Sequence, residues 1–177
     1  MKTKLPALIF WLSLLALATS TTAAAAPRSD VLGLRLEMSK EAVHQRLTKI
    51  GRFEREERGR QEVWTLLNDP RFTSLFVGYD REYKVRYVTA VAREEGSRRM
   101  RYSEVAPLKD ARVENANGVY RRYTWEFKPG KKHAGYFLFA EGRDPEYLKS
   151  LSIKRHPGKS TSPETGEKPA DDDNLLL

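Results

Sequence analysis

The chain has 177 residues, 32% of them charged, a formal net charge of +8 and no cysteine. Without cysteine there is no disulfide, no thiol nucleophile and no thiolate metal site, so burial alone must hold the fold. Lys2 and Lys4 lie in an apolar leader, and the tail from His156 sets two lysines against five acids for −3, which leaves residues 27–155 at +9. A positive field of that size attracts anionic surfaces without selecting one.

Residues 1–26 read as an export signal: Lys2 and Lys4, then the apolar run Leu5–Ala18, then the small residues Ser20–Ala26. That apolar run of fourteen residues is short of the roughly 20 that a membrane span needs. The expectation is a signal that is cleaved, with no transmembrane segment afterwards and no lipid anchor. The mature protein is then periplasmic or secreted, in a bacterial envelope. Residues 27–155 are enough chain for one domain with a core.

In Val31–Gly51, Leu32, Leu34, Leu36 and Met38 alternate with Gly33, Arg35 and Glu37 at the period of a half-buried strand. Ser39 then offers an N-cap hydroxyl, Glu41 suits the first turn, and Met38 with Val43 fits a hydrophobic staple. Val43, Leu47 and Ile50 form one apolar stripe at helical spacing, with Gln45 and Lys49 on the far side. Gly51 reads as a helix stop able to take positive φ. The spacing therefore predicts a helix docked on a sheet.

After it, Arg52–Gln61 reads as a charged loop. Glu62–Asn68, Phe72–Tyr79 and Tyr83–Arg93 read as three strands, with breaks at Asp69-Pro70 and Asp80-Arg81-Glu82. In the third, Val85, Tyr87, Thr89 and Val91 alternate with Lys84, Arg86, Val88 and Ala90. Short turns between consecutive runs predict an antiparallel meander. The order then repeats. Ser103 caps a short irregular helix over Glu104–Ala111, interrupted by Pro107, and Asn115–Gly118 is a turn. Val119–Phe127, His133–Glu141 and Tyr147–Lys154 are three more strands. Trp64 and Trp125 stand 61 residues apart and fall at matching places. The expectation is an α+β fold, short helices packed on an antiparallel sheet, built as a tandem helix-plus-three-strand repeat with halves 31–95 and 102–155. From His156 to Leu177 the composition is Pro, Gly, Ser, Thr and acid, which reads as a disordered tail.

The run from Gly33 to Val43, with Leu47 and Gly51 after it, resembles the opening of the β-lactamase-inhibitor-protein-like group, which includes the SmpA/OmlA-like envelope lipoproteins. In this chain Glu37 stands where that group usually has glycine. The resemblance implies a helix-on-sheet scaffold that binds other proteins through its sheet face, and it implies no catalysis.

The candidates for chemistry are few. His44, His133 and His156 show no ligand spacing, so no metal is expected. Ser103, Ser150 and Ser152 lack a nucleophile-elbow setting, and no glycine-rich phosphate loop exists. No enzyme activity and no cofactor are expected, and nucleic acid is not an expected partner. Binding candidates are Arg98, Arg99 and Arg101 beside Tyr102, and Arg121 and Arg122 between Tyr120 and Tyr123, because guanidinium forks beside aromatic rings suit carboxylates and protein surfaces. Trp64 and Trp125 read as core. The partner expected is another envelope or secreted protein; the alternative is an anionic envelope polymer or lipid headgroup, held by an arginine-rich face.

Overall fold

Short alternating runs cannot satisfy their backbone donors and acceptors alone, so they must pair edge to edge. The computed structural model describes residues 28–57, 60–96, 98–116, 118–130 and 135–156, without the side chain of Ala116. The expected export signal, the tail beyond His156 and the residues Lys131, Lys132 and His133 lie outside the described residues.

One helix, Lys40–Leu47 (α1), precedes four strands: Gly51–Glu57 (β1), Gln61–Leu66 (β2), Phe72–Tyr79 (β3) and Val85–Ala92 (β4). Two 3-10 turns, Tyr102–Glu104 and Leu108–Asp110, lead to Arg112–Ala116 (β5), Tyr120–Phe127 (β6), Tyr136–Gly142 (β7) and Ser150–Arg155 (β8). All eight strands form one antiparallel sheet in the order β1-β2-β3-β4-β8-β7-β6-β5. The expected antiparallel sheet is therefore present and dominates the fold. Its helical share is smaller than the short helices expected, and Pro107 separates the two 3-10 turns where one irregular helix was expected. No helix among the described residues is long and apolar enough to cross a membrane.

Cross-strand pairing makes one face the core. Trp64, Leu75, Ala90, Leu151 and Ala140 follow one another across it, as do Val77, Val88, Ile153, Leu138 and Trp125, all buried. Val43 and Leu47 of α1 cover the first half, and Met100, Tyr102, Val105 and Leu148 cover the second. Trp125 anchors that second cover by donating from Nε1 to the Pro107 carbonyl at 2.9 Å. The cap is as expected: Ser39 Oγ accepts from the Ala42 amide at 3.3 Å.

Four expectations need correction. The meanders have four strands each, not the three expected of each half; the strand missed in the second is β5, which runs into the Asn115–Gly118 stretch read as a turn. The alternation before α1 does not make a strand. Val31 and Leu34 form a single bridge closed by two backbone hydrogen bonds, and Leu32 and Glu37 take φ of 56° and 68°. Both are left-handed values that side chains resist; Glu37 is tied there by Arg155, 2.7 Å from its Oε1. The charged stretch after α1 is strand β1, not a loop. It pairs along β2 from Gly51↔Leu66 to Glu57↔Gln61, and its charges suit an edge strand. Gly51 opens that strand instead of ending the helix at positive φ; a Cβ there would lie 2.6 Å from the Thr65 carbonyl oxygen.

β4 holds a subtler correction. Its register shifts between Tyr79↔Val85 and Gly78↔Tyr87, leaving Arg86 as the extra residue of a bulge. The bulge puts Val85 with Val88 and Ala90 in the core and sends Tyr87, Thr89 and Val91 to the other face.

Candidate functional site

The second face of the sheet has neither helix nor 3-10 turn over it among the described residues. Its side chains run in cross-strand rows. Val63, Phe76, Thr89, Ser152, Phe139 and Thr124 form the middle row. Gln61, Gly78, Tyr87, Lys154, Phe137 and Glu126 form the row at the end where β8 finishes. Antiparallel sheets with one wet face usually put polar residues there. Here Phe76, Tyr87, Phe137 and Phe139 stand on it half-buried.

Local packing shapes this face. Gly78 has no side chain, so the Tyr87 ring lies over it; a Cβ would come within 2.0 Å of that ring. The Tyr87 hydroxyl donates to Gln61 Oε1 on β2. Burial pushes the Tyr87 phenol upward, which keeps it a neutral donor. Beside it, a hollow of about 340 Å³ is lined by Tyr87, Thr89, Phe139, Ser152, Lys154 and the Arg122–Glu141 pair. The floor is a hydroxyl pair, Thr89 Oγ1 to Ser152 Oγ at 2.9 Å. A second hollow, of about 670 Å³, lies between Tyr87, Arg86, Arg60, Gln61, Tyr79 and Glu57. Near Phe139, the buried Thr124 hydroxyl finds no hydrogen-bond partner among the described residues.

The arginine candidates are only partly brought together. Arg99, Arg101 and Arg121 converge on the Asp144–Tyr147 turn between β7 and β8. Arg99 Nη2 donates to Asp144 Oδ2 at 2.7 Å and its guanidinium lies 4.2 Å from the Tyr147 ring centre. Arg101 pairs with Glu146 at 3.2 Å, and Arg121 donates to the Pro145 carbonyl at 3.2 Å. The backbone N–H groups of Glu146 and Tyr147, with Arg99 after them, lower the Asp144 carboxyl to about 2. Tyr102 is buried beneath this turn, its ring tilted against Tyr123 with centres 4.7 Å apart, and burial raises its phenol to about 12. Arg122 points to the other face, where it donates to Glu141 Oε2 at 2.8 Å. Arg98 is exposed and makes no contact with an acid among the described residues.

Sequence reasoning missed a second polar cluster, around Glu62. This side chain is 1% exposed and lies between α1 and the sheet. Lys40 Nζ approaches it to 3.0 Å, His44 Nε2 to 2.7 Å, the Trp64 indole N–H to 3.1 Å and the Tyr79 hydroxyl to 2.9 Å. Burial alone would push the carboxyl up; the donors from His44, Lys40, Trp64 and Tyr79 outweigh it and hold the pKa below its ordinary value. Tyr79 is shifted upward by burial and by the Glu62 charge. Lys40 and His44 are four apart on the helix, a spacing that the sequence displays. Their meeting with Glu62 depends on strand register. Among the described residues no three His, Asp or Glu side chains converge as a metal would require.

No family model, curated protein or solved structure matches the chain. Its function must be argued from the geometry.

Proposed function

We propose that the chain is a non-enzymatic protein-binding module of the bacterial envelope, exported by its N-terminal signal, and that the helix-free sheet face is its contact surface. One observation carries the reading: Phe76, Tyr87, Phe137 and Phe139 stand half-buried on a face with no covering element among the described residues. Aromatic side chains of that kind are enriched at interfaces, where they lose little entropy on contact. The hydroxyl floor and the Arg122–Glu141 pair add polar groups that fix orientation.

The width of the face fits a duplicated unit, a helical segment and then a meander, repeated once. Thr89 and Ser152, 63 residues apart, sit at the offset that aligns the third strand of each expected half, and they pair with each other at the sheet centre. That coincidence supports the duplicated reading.

The test is affinity capture from envelope extract with the wild-type chain and with Tyr87→Ala/Phe139→Ala as baits, both checked for native circular dichroism. A partner held at high salt by the first and lost from the second supports the reading. Capture of no partner, or equal capture by both, overturns it.

A second reading, binding of an anionic polymer or lipid headgroup, draws support from Arg98 and Arg143. Both are exposed, Arg143 next to Asp144 and Arg98 next to Arg99 in the chain, and both lack an ion pair among the described residues. Such binding must weaken steeply with added salt; salt-independent binding would exclude it.

A further inference from the structure

His156 stacks on Phe137 with ring centres 4.7 Å apart. Phe137 belongs to the helix-free face, so the chain leaves β8 on that face, two residues after Lys154. Three exposed cations lie along this end of the sheet: Lys154 on β8, Arg86 at the β4 bulge and Arg60 before β2. Lys154, Tyr87, Gly78 and Gln61 are successive cross-strand partners; Arg86 and Arg60 are the chain neighbours of Tyr87 and Gln61 and line one hollow with them. None has an ion-pair partner among the described residues; Arg86 lies over the Tyr87 ring at 5.7 Å. The one acid in the Arg60–Arg86 hollow, Glu57, is engaged by Arg55 and Gln61, each at 2.6 Å.

The sequence beyond His156 carries complementary chemistry. Residues 157–170 are rich in Pro, Gly, Ser and Thr; then come Asp171-Asp172-Asp173 and Leu175-Leu176-Leu177. We propose that Asp171–Leu177 docks in cis on the helix-free face, with the aspartates against Lys154, Arg86 and Arg60 and the leucines against Tyr87 and Phe139. The inference rests on the reading of that face as a contact surface, and adds that a partner must displace the chain's own tail.

The reach is adequate. Fourteen residues with coil statistics span roughly 20 Å on average, while the three strand spacings from β8 to β2 add to about 14 Å. Tethering raises the local concentration of the segment to about the millimolar range, so weak contacts suffice. A polar segment can order on a surface that supplies its apolar partner.

The absence of native cysteine makes the test clean. Asn174→Cys in the full chain takes a nitroxide label, and amide signals are read with the label oxidised and reduced. The expected result is loss of the Tyr87, Phe139, Ser152 and Lys154 signals in the oxidised state, with those of Val43 and Leu47 unaffected. Adding Asp171→Asn, Asp172→Asn and Asp173→Asn should restore the lost signals. Uniform or absent broadening overturns the proposal. So does broadening that appears only from a second, isotopically silent labelled chain in a mixed sample, which would mean docking between copies. These readouts involve no partner, so their failure leaves the capture experiment free to succeed, and the reverse.

Discussion

Glu62 is where single side chains matter most to this fold. A carboxylate that is 1% exposed survives as an anion because α1, β2 and β3 each aim a donor at it. Glu62→Ala leaves the Trp64 and Tyr79 donors buried without an acceptor. At about 1–3 kcal/mol for each such group, the expected loss is about 2–6 kcal/mol in urea unfolding. Glu56→Ala removes a far more exposed partner of Lys40 and should cost less than about 1 kcal/mol. The sign with pH comes from the lowered pKa. Glu62 contributes its full stability above the ordinary carboxyl value of 4.5 and loses it as pH falls through the lower folded value. Wild type should therefore lose stability on acidification below about pH 4.5 more steeply than Glu62→Gln; parallel curves would show that the carboxylate is not charged in the fold. None of this was legible along the chain. His44 read as an unremarkable imidazole and Glu62 as the start of a strand, because what joins them is a helix lying across a register.

At the scale of elements, the sequence was a better guide to α1 than to its flanks. Ser39, Val43 and Leu47 cap and dock the helix as their spacing implies, and Ile50 is half-buried against the core. Leu47→Ala should cost about 2–5 kcal/mol, as deletion of a buried leucine does. Ser39→Ala should cost about 1 kcal/mol through the cap, and Lys49→Ala less than about 0.5 kcal/mol. Thermal or urea unfolding of the three variants checks the order, and a harmless Leu47→Ala would mean the helix is not docked. The flanks misled for physical reasons. Of the alternating leucines before Ser39, Leu34 is buried and Leu32 and Leu36 half-buried by a tight bridge and two left-handed residues instead of by a pleat. The charges of β1 hid a strand because an edge strand needs apolar pairing on only part of its length. The β4 bulge exchanged faces midway, which no strict alternation can announce.

For the whole molecule, the pairing of β4 with β8 is decisive. The two four-strand meanders share one sheet and one continuous core, from Trp64 on β2 to Trp125 on β6. Neither half has a core of its own to fall back on, so both should unfold together. With 5-fluorotryptophan at both sites, the 19F signals of Trp64 and Trp125 should report coincident midpoints in one urea titration; separated midpoints would show two independent units. The antiparallel meanders were legible from turn chemistry. Their fusion was not, because the β4–β8 pairing joins residues 63 apart with no local signal.

Among the described residues the sheet does not close, and both of its outer strands carry opposite charges two residues apart. Arg52 with Glu54 and Arg55 with Glu57 stand on β1 at 2.9 and 2.6 Å, and Arg112 with Glu114 on β5 at 2.6 Å. An unpaired strand invites another copy to add its own, and charged side chains discourage that, because several registers set like charges opposite each other and every register desolvates them. The guard is electrostatic, and dissolved ions weaken it. Colloidal stability should thus depend on ionic strength more than on temperature below the melting range, with turbidity at constant protein concentration rising as sodium chloride is added.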